Sequence, residues 1–369
     1  MFKRTLIAAS LTVAALASAQ AMAANVTGGG ATLPAALYKG SSNSILPANF
    51  TYAGTGSGTG KTAFLTNNSA LFSATGSVHF AGSDSILSAS EISTYNTNFG
   101  ASYGPLIQLP SVATSVAIPY KKSGQTALNL TSQQLCDVFS GTATTWGQLL
   151  GNSDATPVRV VYRTTSSGTS EILTRHLNNV CKTKFSVNST FANSLLPAGT
   201  ALPSSFVGVA NTADVAVAVN AVDGSIGYVG PDGVNASSNA VVSRVNGVQP
   251  TPGNVTTALS SVALPTTPSN PAEWAPVVAN PSSGYPIAAY TNLIFGQCYK
   301  DATVAADIKS FLTTHYSVPG NAAATISHGF SVVPTNWKNA VTANFITNTS
   351  GNNLDINNAS VCNAIGRPL

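Results

Sequence analysis

The sequence predicts an α/β protein folded as two lobes. Segments of strand character alternate with segments whose apolar residues recur at helical spacing, the pattern of an α/β fold with mostly parallel sheets. Once an N-terminal leader is set aside, roughly 345 residues remain, more than one hydrophobic core usually serves. No internal repeat suggests a solenoid instead.

The leader is read from Lys3 and Arg4, the largely apolar run Leu6–Ala17 and the small-residue site Ala21-Met22-Ala23. These mark residues 1–23 as a secretory signal peptide cleaved near Ala23, too short to span a bilayer. No cysteine lies near the cleavage point, so a lipid anchor is not indicated, and no later stretch is long and apolar enough for a membrane span. The mature chain is expected to be secreted or periplasmic and not membrane-embedded.

The elements follow in order. Pro34–Gly40 reads as a short helix with Pro at its first position. Ser77–Asp84 reads as a strand entering a turn, and Ser111–Tyr120 as a single strand. Thr131–Phe139 is a hydroxyl-capped helix. Thr212–Val222 is a helix stopped by Asp223-Gly224, Ser225–Gly230 a buried strand and Tyr285–Phe295 another. The tail carries helical patterns at Thr303–Tyr316 and Asn336–Asn348. Residues Asn246–Ser283, rich in Pro, Thr, Ser and Asn, read as a long surface loop.

Charged residues make up only 8% of the chain, against ~25% in average domains. Losing Lys3 and Arg4 with the leader lowers the formal net charge of +4 by two. No clustered basic face remains for nucleic acid. In an oxidising compartment Cys136, Cys181, Cys298 and Cys362 favour two disulfides over a metal site. Three connectivities are open; Cys136–Cys181 with Cys298–Cys362 keeps each bridge local.

The most informative stretch is Val160–Leu177. A β-branched run ends on Arg163, and Ser167-Gly168-Thr169 then opens a segment with Ile172, Leu173, His176 and Leu177 at helical spacing. One fixed positive charge therefore meets the unpaired amides of a helix N-terminus, a ready anion site. A capped helix after a strand would account for the same Ser, Thr and Gly. Two further turns share this chemistry: Gly28–Pro34, with Thr32 and Leu33 before a helix, and Gly54–Leu65, with Ser57 in a glycine-rich turn. Converging, the three would surround a tetrahedral oxyanion with amides, hydroxyls and one guanidinium.

Several chemistries are excluded. Gly54 lies one place too far from Gly60-Lys61-Thr62 for a phosphate-binding loop of the nucleotide kind. His79, His176, His315 and His328 show no metal-ligand spacing, so neither metal nor cofactor is expected. Trp146, Trp274 and Trp337 are scattered as packing residues are, and no G-x-S-x-G elbow occurs.

With these residues in view, the chain resembles the DING proteins, a branch of the PstS family of phosphate-binding proteins. The likeness is carried by GGGATLP, GTGSGTGKTAFLTN, VHFAGSD, LIQLPSVATSVAIPY, QLCDVFSGTATTWGQL, VRVVYRTTSSGT and GSIGYVG. One departure is plain: the name-giving Asp-Ile-Asn-Gly reads Asn25-Val26-Thr27-Gly28 here. The resemblance implies a bilobal, periplasmic-binding-protein-like (Venus flytrap) fold with a ligand cleft between two α/β lobes. Lobe one would comprise residues 24–110 and 286–369, and lobe two residues 111–285. The chain would cross near Leu109–Val112 and return near Tyr285–Ile287. The ligand set it implies is Thr32, Leu33, Ser57, Asp84, Arg163, Ser167, Gly168 and Thr169. It also implies the Cys136–Cys181 bridge.

An inward Asp84, ionised, can only accept, so it would demand a proton on the ligand and favour hydrogen phosphate over sulfate. The function implied is capture of inorganic phosphate for acquisition, by a monomer whose expected partner is a phosphate ABC permease. The alternative is a low-molecular-weight alkaline phosphatase acting on phosphate esters at the same site, its catalytic residues unknown. A surface adhesin would explain the Thr- and Asn-rich exterior but not the site.

Overall fold

A computed structural model describes residues 25–369. The signal peptide and its cleavage near Ala23 lie outside these residues. Among them, no helix is long and apolar enough to cross a membrane.

The first lobe opens with β1 (Gly28–Gly30), α1 (Ala35–Lys39), β2 (Ala53–Gly54), α2 (Ser57–Thr66), β3 (Phe80–Ser83), α3 (Ala89–Tyr95), α4 (Ala101–Tyr103) and β4 (Leu106–Ser115). The second lobe holds β5 (Ile118–Lys121), β6 (Asn129–Leu130), α5 (Ser132–Phe139), α6 (Trp146–Leu150), β7 (Arg159–Arg163), α7 (Gly168–Cys181), β8 (Phe206–Val209), α8 (Thr212–Ala221), β9 (Ser225–Gly227) and β10 (Val242–Val245). The chain returns through α9 (Pro252–Leu259) and β11 (Ala288–Gly296), then adds α10 (Ala302–Tyr316), α11 (Ala322–Ser327) and α12 (Thr335–Val341) to lobe one.

The sheets are ordered β2-β1-β3-β11-β4 and β6-β10-β5-β9-β7-β8. They are mixed rather than mostly parallel. β11 runs antiparallel to both β3 and β4, because the chain leaves lobe one on β4 and comes back beside it. β5 likewise runs antiparallel to β9 and β10. Each sheet is buried on both faces by separate apolar clusters, the arrangement that α/β layering requires.

The link between the lobes is the β4/β11 ladder, paired without a gap in burial from Leu106↔Gly296 to Ser115↔Ala288. The expected first crossing at Leu109–Val112 falls inside β4, so the boundary at 110/111 moves past Ser115. There the ladder ends: Val116 donates to Ile287 and Ala117 bridges Val229 of the other lobe. The expected single strand Ser111–Tyr120 is therefore two strands in two sheets. The region read as a loop, Asn246–Ser283, contains α9, whose Val255, Ala258 and Leu259 pack on Ala113, Ala288 and Tyr290 of the linking strands. Thr251 and Pro252 start it, and the apolar i, i+3, i+4 spacing was hidden by polar composition.

Both disulfides form as the locality argument pairs them, Cys136–Cys181 tying α5 to the end of α7 and Cys298–Cys362 tying the end of β11 to the tail. Near the end of the sequence Arg367 is fully buried in lobe one. Its Nη1 donates to Val78 O and its Nη2 to Phe64 O, each at 2.7 Å, and its guanidinium lies 3.7 Å from the Phe64 ring centroid. Arg367→Ala would take a donor from Val78 O, leave Phe64 O with only the Asn67 amide at 3.3 Å, and empty the space on the Phe64 ring. Urea unfolding is expected to show a loss of about 3 kcal/mol; a loss under 1 kcal/mol would show that the arginine only fills space.

Candidate oxyanion site between the lobes

Each wall of the site is a strand that ends in a tight turn before a helix. β1 stops at Gly30, whose φ of +131° and closeness to Gly82 O admit no side chain. Thr32 and Leu33 follow, just ahead of α1. β2 ends at Gly54; two residues on, Gly56 turns at φ +97° and Ser57 begins α2. β3 delivers Asp84 and β7 delivers Arg163. Ser167 caps α7, accepting from the Ser170 amide at 3.5 Å. The first amides of α2 and α7 have no intrahelical acceptor and carry the positive end of the helix dipole.

The eight residues expected at the site come together. Arg163, 1% exposed, donates from Nη1 to Thr32 Oγ1 (2.9 Å) across the cleft and to Ser167 Oγ (3.3 Å) beside it. A Cβ placed on Gly168 would lie 2.3 Å from Asp84 Cβ and 2.6 Å from Ser57 Oγ, so the lobes meet there at backbone contact. Leu33 is buried against Gly230 of lobe two in the same way. Ser57 Oγ donates to Asp84 Oδ2 (3.4 Å) and accepts from the Asp84 amide (3.1 Å). Thr169 Oγ1 is buried without a partner, and Asp84 Oδ1 makes no full hydrogen bond.

Other members had no signal in the sequence. Thr212, read only as a helix start, accepts from Arg163 Nη1 at 2.8 Å and stands 2.7 Å from Thr32 Oγ1. Thr165 Oγ1 accepts from Nη2 (3.0 Å), Ala210 O from Nε (2.7 Å), and the Tyr228 hydroxyl from the Arg163 amide (3.0 Å). Thr291, on the returning strand β11, lies close enough to Asp84 to favour its charge. The hydrogen bonds among them join residues 47 to 180 positions apart, Thr165 excepted, and Thr291 is further still from Asp84 along the chain, all beyond the reach of any local motif.

Burial pushes the Asp84 carboxyl up to about 6, although Thr291, Ser57 and Arg163 each favour its ionised form. Burial also lowers Arg163, with Tyr228 and Asp84 opposing; a guanidinium stays charged regardless. No ion pair joins the two, so each presents its charge to the cleft. Beyond the site, His328 of lobe one faces Asp232 of lobe two, with Nδ1 2.9 Å from both carboxylate oxygens and Nε2 3.2 Å from Ser42 O.

The remaining histidines are packed: burial holds His79, His176 and His315 down to about 4. All three tryptophans are core residues. Among the described residues no group of three or more His, Cys, Asp or Glu could hold a metal ion.

Two α/β lobes joined by paired strands, with a polar cleft closed between them, define a bilobal solute-binding protein. The chain matches the PBP superfamily domain over residues 17–317. It is 62% identical, over the whole of both chains, to a Pseudomonas aeruginosa protein named alkaline phosphatase L. A crystal structure of a phosphate-binding protein from Stenotrophomonas maltophilia is 48% identical, with 94% of this chain and 100% of that one covered and a TM-score of 0.87. A high affinity periplasmic phosphate-binding protein solved with phosphate at pH 8.5 is 43% identical, with the same coverage and TM-score. The chain belongs to the PBP superfamily and, within it, to the group of DING and phosphate-binding proteins.

Asp84 makes a stability prediction. Its folded value lies above that of an unfolded aspartate, so the native state binds the extra proton between about pH 4 and pH 6 and loses stability as pH rises through that window. Asp84→Asn removes the titration. In ligand-free protein its advantage over wild type should grow from nothing near pH 4 to roughly 2–3 kcal/mol above pH 6. Denaturant curves at pH 4 and 8 read this directly, and an unchanged difference would show that Asp84 is not held against its charge.

Proposed function

We propose that the protein captures inorganic phosphate in the interlobe cleft, takes it as hydrogen phosphate and rejects sulfate. The observation that carries this reading is Asp84: a buried carboxylate with an uncommitted oxygen, set among Arg163, the hydroxyls of Thr32, Ser57, Ser167 and Thr169, and two helix N-termini. The donors fit three anionic oxygens, and the carboxylate fits the one that bears a proton. Sulfate brings no proton, so a lone pair of its own would face a buried lone pair of Asp84. A site built to bond a ligand hydroxyl rejects the analogue lacking it by ~10⁴-fold. The relative solved with phosphate and described as periplasmic supports the same ligand and compartment. With a cleavable leader, the protein would work as a secreted or periplasmic monomer that supplies phosphate to an ABC permease.

One contact favours a second reading. Ser57 Oγ, at 3.4 Å from Asp84 Oδ2, is a hydroxyl beside a carboxylate that is ionised at alkaline pH. That is the pairing a nucleophile and its base require. The 62% identical relative is named an alkaline phosphatase, and Arg163 with the amide turns would stabilise a phosphoryl transition state as well as they bind phosphate.

Calorimetry on phosphate-stripped protein at pH 8 should show phosphate binding with no competition from millimolar sulfate. Equal affinity for the two anions would remove Asp84 from its role. Asp84→Asn should let sulfate compete, since an amide can donate to an unprotonated oxygen. In wild type, sulfate competition should also strengthen below pH 6, where Asp84 becomes a donor.

The catalytic reading is tested with an aryl phosphomonoester. If turnover belongs to this site, Arg163→Ala should lower kcat/KM at least 100-fold, a change of about 2.7 kcal/mol. Activity at the wild-type level in that variant would assign turnover elsewhere.

A further inference from the structure

A groove of about 470 Å³ adjoins the oxyanion site on its outer side. The two share a wall one residue thick. Ser57, Asp84 and Ser167 belong to the site, while their chain neighbours Gly58, Ser85 and Ser166 line the groove. Both lobes contribute, with Thr59, Lys61 and Thr62 of α2 on one side and Ser166 and Ser189 on the other.

We infer that this groove binds the alcohol portion of a phosphate ester, specifically an uncharged, hydroxyl-bearing alcohol, and that the Gly58–Ser166 contact decides whether an ester can engage at all. The inference rests on reading the interlobe cleft as a phosphate site. Three observations carry it. Five lining residues carry hydroxyls (Thr59, Thr62, Ser85, Ser166 and Ser189), Lys61 and Glu91 add a charged pair, and Leu71 is the one large apolar member, a polar lining that suits a polyol better than an aromatic ring. Ser85 is 1% exposed, yet its Oγ has no hydrogen-bond partner, a cost that a ligand hydroxyl would relieve. Lys61 is already committed, with Nζ 3.0 Å from Glu91 and 3.1 Å from Ile86 O. The groove therefore offers no spare positive charge to a second phosphate, which sets a neutral alcohol above a diphosphate.

The lip between site and groove is tight. A Cβ on Gly58 would stand 2.4 Å from Ser166 Oγ and 2.9 Å from Ser166 Cβ, and one on Gly56 would stand 2.8 Å from Ser166 O. On the reading of the cleft as a phosphate site, free phosphate lies wholly behind this lip. An ester must pass its C–O bond through it and holds the lobes apart, so it binds more weakly than phosphate.

Calorimetry with inorganic phosphate, glycerol 3-phosphate and phenyl phosphate on the phosphate-stripped chain tests this. Glycerol 3-phosphate should bind at least tenfold more weakly than phosphate and at least fivefold more tightly than phenyl phosphate. Thr62, exposed on α2, can be enlarged without touching the oxyanion site. Thr62→Phe should weaken glycerol 3-phosphate at least tenfold and leave inorganic phosphate within twofold. Gly58→Ala should narrow the ratio of phosphate to glycerol 3-phosphate affinity at least fivefold, and adding Ser166→Gly should restore it. If Thr62→Phe moves both ligands or neither, or phenyl phosphate binds as well as glycerol 3-phosphate, the groove is not the alcohol site. Absence of phosphate binding in wild type would instead sink the reading of the cleft itself.

Discussion

Keeping a guanidinium dry is the constraint around which this protein is organised. Arg163 is 1% exposed, and an ion withdrawn from water is tolerated only when its donors are met. Five oxygens meet them, four from lobe two and one, Thr32 Oγ1, from lobe one. The Thr32 contact is made only when the lobes are together, and Nη2 keeps a second N–H beyond its bond to Thr165. Asp84 carries the opposite charge under the same burial and is likewise held by groups from more than one segment, Ser57 on α2 and Thr291 on β11. Two charges that stand near each other without pairing leave a space whose complement is an anion carrying both acceptors and a donor.

Closure at that scale needs the two surfaces to meet without side chains in the way. Gly56 and Gly58 meet Ser166, Gly168 meets Asp84, Gly230 meets Leu33, and Gly329 meets Pro231. Each contact joins one lobe to the other, and together they exclude water, which strengthens every electrostatic interaction inside. The seam ends at His328. Its two ring nitrogens face the Asp232 carboxylate of lobe two and the Ser42 carbonyl of lobe one, so this side chain too touches both halves of the molecule.

Much of the site was legible because its parts are local. Arg163 at a strand end, Ser167 as a cap with Gly168 behind it, and Ser57 after a glycine turn each have a signature within a few residues. Thr212 was not legible as a cleft residue, since its partner Thr32 lies 180 positions away and its own neighbourhood announces only a helix. The division of residues 111–120 was missed for a different reason. Val116 and Ala117 are fully buried, so no polar turn marks the place where the chain changes sheets. The helix α9 was concealed by Pro, Thr and Asn around it, although its buried face has ordinary helical spacing. The mixed sheets follow from the crossing itself, which sequence alternation does not record.

The placement of Arg367 bears on how the chain is made. Lobe two is nearly continuous and can gather its core once Tyr285, Ile287 and Ala289 have emerged. Lobe one cannot, because β3 is flanked by β11 on one side, and the guanidinium that fixes Val78 and Phe64 arrives only at position 367. A chain threaded from its N-terminus therefore completes its second lobe first and waits for its final residues to seal the other. Until then Thr32, Ser57 and Asp84 belong to an unfinished scaffold, so the cleft is assembled last.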